Sequence, residues 1–189
     1  MAKSPRPTWS QIKAHIKHWD KAQLTGLIQN LFKHSKDNRD FLAARLLGDA
    51  IGEQVLAPYL KRIEAAFYDK RGWPAKRLNL KDARSAIREY QGATSDPAGT
   101  LELMLVHVET GTQFTREFGD IDEGFYDSLC TTLHEIRKLL SSEEGRPLYG
   151  QIRARLAELA QQANGIGWGY GDYVVDVVAE IAADNEDEG

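Results

Sequence analysis

Apolar residues in this chain recur at three- and four-residue intervals, segment after segment, and rarely alternate. That spacing lines one side of an α-helix and cannot line one face of a strand, so it constrains the fold class more than any other feature. "KAQLTGLIQNLFKHS" sets Leu24, Leu27, Ile28, Leu31 and Phe32 on one stripe, with Asp20 as N-cap and Gln23 placed to complete a capping box. Thr8 and Gln11 repeat the device for a short helix carrying Trp9, Ile12, Ile16 and Trp19. Asp37 is read as opening a third helix through Phe41, Leu42 and Leu46. "APYLKRIEAAFY" is read as starting with Pro58 near its first turn and burying Leu60, Ile63 and Phe67. "KRGWPAKRLN" interrupts the pattern, because the proline after Trp73 disfavours helix at that tryptophan.

Asn79 and Asp82 bracket the next start, and Asp96 with Pro97 marks a restart as N-cap and first helical residue. Leu101, Leu103, Met104, Leu105, Val106 and Val108 then make a run apolar on nearly every side, which predicts a central buried helix. Three further stripes follow, through Phe125–Leu140, Leu148–Leu159 and Val174–Ile181. The valines of the last suit a strand, but the Ala and Glu between them favour helix. The prediction is an all-α chain of about eight or nine helices, forming a compact bundle or a short solenoid-like stack. Residues 1–183 are read as a single helical domain and 184–189 as an acidic, frayed tail.

Cys130 is the only cysteine, which excludes an internal disulfide and a cysteine-based zinc site and suits a reducing cytosol. The first residues lack the apolar run of a secretory signal, and no stretch nears the roughly 18 consecutive apolar residues of a membrane span. A cytoplasmic location with no membrane partner is expected. The formal charge of −4 conceals a division: residues 1–90 carry a net +9 and residues 91–189 a net −13. Either the halves dock on each other, or the basic half presents Lys70, Arg71, Lys76 and Arg77, around Trp73, to nucleic acid or an acidic partner.

The richest candidate for chemistry is "REFGDIDEGFYDS", where Glu117, Asp120, Asp122, Glu123 and Asp127 crowd together downstream of Glu109. Carboxylates at this density could hold Mg²⁺ or Ca²⁺. An EF-hand is excluded, since Phe125 stands where its glycine is needed and Thr131 where its bidentate glutamate is needed. The competing and preferred reading is a capped turn: Gly119 ends one helix, and Asp120 or Asp122 starts the next with Glu123 at its positive end. Asp120 or Asp122 could also pair with Arg71 or Arg84. "HEIRK" has lysine where a helical zinc motif needs its second histidine. His15, His18 and His34 are read as solvent-facing, Cys130 as an inert core thiol, and His107, within the most apolar helix, as the best general-base candidate.

"GIGWGYGD" resembles a phosphate loop but lacks the Gly-Lys-Ser/Thr ending, and it fails Gly-x-Gly-x-x-Gly because Tyr170 or Asp172 occupies the third glycine position. It is read as a joint whose Asp172 caps a helix and whose Trp168 and Tyr170 wedge against the bundle.

Two blocks carry a resemblance. Val108, Glu109, Gly111, Phe114, Thr115, Gly119, Asp120, Ile121, Glu123, Phe125 and Tyr126 form one, and Gly167, Trp168, Gly169 and Asp172 the other. In these the chain is similar to a family of small bacterial all-helical proteins known only as a domain of unknown function, over about residues 10–180. The resemblance marks where a site would lie and implies no activity. One departure is Gly171, where the family carries a histidine; any ligand or base role of that histidine is absent here.

The leading expectation is a helical interaction or adaptor module for a macromolecular partner, most simply a protein, with no cofactor and no metal. Its hub would be Glu109, Phe114, Thr115, Asp120, Asp122, Glu123, Tyr126, Trp168 and Asp172, with the acidic turn meeting the glycine joint and Trp168 beside Phe125 or Tyr126. One alternative is a divalent-metal-dependent hydrolase or phosphoryl-transfer enzyme using Glu109, Asp120, Glu123 and Asp172, with His107 as base. A second is nucleic-acid binding through the basic half. Oligomeric state is not readable from these residues.

Overall fold

The structure is a computed structural model and describes residues 7–47 and 49–186; Asp187 and Glu188 of the acidic tail lie outside the described residues. Among the described residues there are nine α-helices and no strand. They are α1 (Trp9–Ile16), α2 (Lys21–His34), α3 (Lys36–Leu46), α4 (Asp49–Phe67), α5 (Leu80–Thr94), α6 (Pro97–Phe118), α7 (Glu123–Leu140), α8 (Tyr149–Ala163) and α9 (Tyr170–Glu186). The chain is all-α, as its period requires.

The starts follow local chemistry. Thr8 and Asp20 each close a full capping box, with Gln11 and Gln23 respectively. Asn79 accepts from the Asp82 amide, Asp96 from the Ala98 amide ahead of α6, and Asp122 from the Phe125 amide ahead of α7. Three expectations shift. Ser35 rather than Asp37 caps α3, because its side chain takes the Asn38 amide and leaves Asp37 in the first turn. Pro58 lies inside α4, not near its start, so the helix runs through a residue that cannot donate its backbone bond. Helix α9 begins at Tyr170, so Asp172 sits within its first turn rather than at its cap.

The buried core is drawn from α4 to α9, with α6 at its centre: Leu101, Leu103, Leu105, Val108 and Phe114 are all buried. Helices pack as successive neighbours, α4 on α5, α6 on α7 and α8 on α9, and α4 and α8 also flank α6. Helix α3 joins this body through Ala43 and through Asp40, which accepts a hydrogen bond from the Tyr59 hydroxyl at 3.3 Å.

The first two helices differ. Neither α1 nor α2 buries a single residue, although both carry the apolar stripes expected of packed helices. Trp9 is 68% exposed, and Ile12, Trp19, Leu24, Ile28, Leu31 and Phe32 are exposed beside it along the arm. Between α2 and α3 lies an open groove of about 910 Å³, lined by Ala22, Thr25, Gly26, Ile28, Phe32 and Leu46 among others.

Candidate functional site

Tyr126 is where the two motif blocks meet. It sits on the first turns of α7, buried, and its hydroxyl donates to Asp120 Oδ1 at 2.9 Å. The same hydroxyl lies 2.6 Å from Thr115 Oγ1, on the last turns of α6. Burial first, and then the Asp120 carboxylate, hold its phenol above the usual tyrosine range. Gly119 makes this convergence possible. Its φ of 86° turns the chain sharply after α6 and returns Asp120 toward Thr115 and Tyr126.

The glycine joint packs on the other side of Asp120. A Cβ at Gly167 would lie 2.9 Å from Asp120 Oδ2, so the backbone approaches the carboxylate as only glycine can. Trp168 stacks on Tyr126 with ring centroids 6.5 Å apart and planes at 27°, yet stays 62% exposed. It is therefore a displayed ring rather than a wedge in the bundle. Its φ of 60° places it in the left-handed region, which a bulky residue occupies at a cost. Tyr170, two residues on, is fully buried, and its hydroxyl pairs with Thr112 at 2.6 Å. Phe114 continues the cluster inward, touching the rings of Phe67, Tyr68, Phe118 and Phe125.

Phe114, Thr115, Asp120, Tyr126 and Trp168 are thus brought together. Asp122 is spent on capping α7, and Glu123 is an exposed first-turn residue of that helix. Glu109 lies elsewhere on α6, where Arg155 of α8 clamps it at 2.8 Å and Glu102 at 2.6 Å. Asp172 lines a separate shallow hollow between α8 and α9 with Asn164, Val175 and Asp176. The four carboxylates of the metal-enzyme alternative therefore point to different places. Among the described residues no three of His, Cys, Asp and Glu gather in a way that could hold a metal ion.

His107 does not serve as an accessible base. It is wholly buried, and burial, aided by the Arg84 charge, drives its pKa down to about 4. The neutral ring has Ser128 Oγ 3.5 Å from Nε2, while Nδ1 and the nearby Arg84 Nε find no partner. Cys130 is half-buried, and burial lifts its thiol to about 11, so it stays protonated and unreactive near neutrality.

The expected pairing of Asp120 or Asp122 with Arg71 or Arg84 is not found: Arg71 pairs with Asp69, and Arg84 with Glu135 at 3.1 Å. Arg84–Glu135 crosses between the basic and acidic halves. Arg62 pairs with Asp82 and Glu89 inside the first half, and Arg137 and Arg155 with carboxylates inside the second. The loop between α4 and α5 displays Lys70, Arg71, Lys76 and Arg77, all exposed, around a Trp73 that is 67% exposed. Asp69 pins this loop by accepting from the Arg71 and Trp73 amides.

Sequence reasoning missed the Arg155 clamp, the Thr112–Tyr170 pair and the groove of α2 and α3. A signal for the clamp existed, since an arginine in an acid-rich half has carboxylates within reach by composition alone. No family model, curated protein or solved structure matches this chain.

Proposed function

We propose that this protein is a helical interaction module that binds a macromolecular partner through the arm formed by α1, α2 and the groove beside α3. One observation carries the reading: two well-capped amphipathic helices leave their apolar faces in water. Isolated apolar side chains on a surface are ordinary, but a contiguous apolar face on an otherwise well-packed protein marks a binding surface. A concave apolar groove between two helices can accept the apolar face of an amphipathic helix. The Tyr126 cluster then has a structural role, locking α6, α7 and α9 together and leaving Trp168 on display.

The test compares partners retained by the wild-type chain and by Phe32→Glu. Phe32 is exposed, so the variant keeps its melting temperature. Partners identified by mass spectrometry should bind the first and not the second; an identical partner set for both would end the proposal.

A second reading has one observation behind it, the pinned basic loop with its exposed Trp73. Lysine and arginine neutralise phosphates, and an aromatic face stacks a base. Retention on a polyanion column at low salt, reduced by Lys76→Glu with Arg77→Glu and abolished by added salt, would support it; no retention at low salt counts against it.

A further inference from the structure

Helix α1 is a ridge without a groove, and the cleft between α2 and α3 is a groove without a ridge. Each is what the other lacks, yet they do not meet within one chain. None of the residues lining the cleft comes from α1, and Ile28, Phe32, Leu46 and Leu47 in it are 45–69% exposed. Helix α1 has 8 residues, well short of the roughly 12–15 that an isolated helix needs to persist in water. Its capping box and its Trp9–Ile12–Ile16 stripe are those of a helix that persists by docking.

Resting on the reading of the arm as the interaction surface, we propose that its partner is a second copy of this chain, with α1 of each protomer seated in the α2–α3 groove of the other. The dimensions agree. Helix α1 is about 12 Å long, and the stretch of α2 from Ala22 to Phe32 that lines the groove is about 15 Å. The floor of small residues, Ala22, Thr25 and Gly26, admits a helix closely, and a Cβ added at Gly26 meets nothing within 4 Å. A reciprocal exchange closes under a two-fold axis, so it ends at a dimer and does not propagate into a filament.

The area suffices. A covered aromatic side chain buries about 150–250 Å². The exposed parts of Trp9, Ile12 and Trp19 with the groove residues facing them, counted for both exchanges, come to on the order of 1,200 Å², the lower edge of a stable specific interface. Charge is the opposing term. Lys13 of α1 and Lys17 at its C-cap would approach Lys21 at the groove mouth. These are long, exposed side chains that keep their heads in water and are screened over about 8 Å at physiological salt, so apolar burial dominates. A bilayer surface fits less well, since it is flat and would leave the concave groove unfilled.

The test measures the mass of the full chain by light scattering and sedimentation across concentration. A dimer is expected, with Trp emission shifting to the blue as Trp9 and Trp19 are covered. Ile12→Glu spoils the ridge and Phe32→Glu the groove; each should give a monomer whose far-ultraviolet dichroism falls by no more than the helicity of the 8-residue α1, because neither side chain is buried in the body. Mixing the two variants regenerates one sound ridge and one sound groove, so a weakened heterodimer should return at about half the wild-type contact. A monomer up to 100-fold above the working concentration overturns the proposal, as does a dimer that both variants leave intact. A monomeric wild-type chain that holds a partner lost in Phe32→Glu would overturn self-association and leave the interaction-module reading standing. Binding of the monomer to vesicles of anionic lipid in place of dimerisation would overturn it in favour of a membrane surface.

Discussion

At Tyr126 a single hydroxyl joins two parts of the chain: Thr115 from α6 and Asp120 from the turn. Removing it strands polar groups in a largely buried place, so Tyr126→Phe should lower unfolding stability by about 1–2 kcal/mol, measured by urea denaturation. Trp168→Gly should be close to neutral. It loses a stacked ring that is mostly exposed, but it also relieves a left-handed backbone position that glycine accepts freely. Gly171→Ala has no such compensation. The new Cβ would lie 2.6 Å from the Ala163 carbonyl oxygen, and the backbone there cannot give way cheaply, so about 1–3 kcal/mol of destabilisation is expected. The same contact makes a histidine at this position incompatible with the observed packing. His107 supplies a pH signature. Its folded-state pKa of about 4 lies below the unfolded value near 6.5, so the unfolded chain binds more protons between those limits. Its contribution is complete above pH 6.5 and is lost as pH falls toward 4, on the order of 3 kcal/mol in all. His107→Gln should flatten the pH dependence of the urea midpoint across that window; an unchanged slope would contradict the assignment.

Among the helices, caps that look alike in sequence carry different weight. Asp96 accepts the Ala98 amide at the start of α6, and it also takes the Tyr90 hydroxyl at 2.6 Å from α5. Asp96→Ala therefore removes a cap and an inter-helix bond, and a loss of about 2 kcal/mol is expected in the thermal or urea transition. Thr8 closes a complete capping box at α1. Because α1 buries nothing, Thr8→Ala should fray that helix in hydrogen exchange while leaving the global transition where it was. Capping chemistry was legible for most helices, since it depends on residues three apart. The start of α9 was less so. Tyr170 donates its amide to the Gly167 carbonyl, and that bond comes from the fold of the glycine turn, not from any capping residue. Pro58 inside α4 was missed for a related reason. A proline favours a first turn locally, and only packing on both sides of it sustains a helix that runs through.

Across the whole molecule, two halves of opposite charge do not simply neutralise each other. Arg84–Glu135 ties them, whereas Arg62, Arg137 and Arg155 find partners within their own half. The body from α4 to α9 is closed around one apolar core, and the arm is not closed at all. The molecule is therefore divided by packing more than by charge, between a finished body and an arm whose apolar faces await cover.

Fold class, the side-chain-capped starts of α1, α2, α5, α6 and α7 and the all-apolar central helix were determined by the sequence alone, because each depends on residues within a turn or two of one another. The meeting of Asp120 with Gly167, the stack of Trp168 on Tyr126 and the diversion of Glu109 to Arg155 were decided only by tertiary structure. They join positions roughly 40–50 residues apart, and local periodicity carries no information about which helix lies beside which. The arm shows the same limit from the other side. Its stripes in α1 and α2 read as buried faces, like those of α6 and α7, because a period of 3.6 states that a face wants cover and not whether the same chain supplies it.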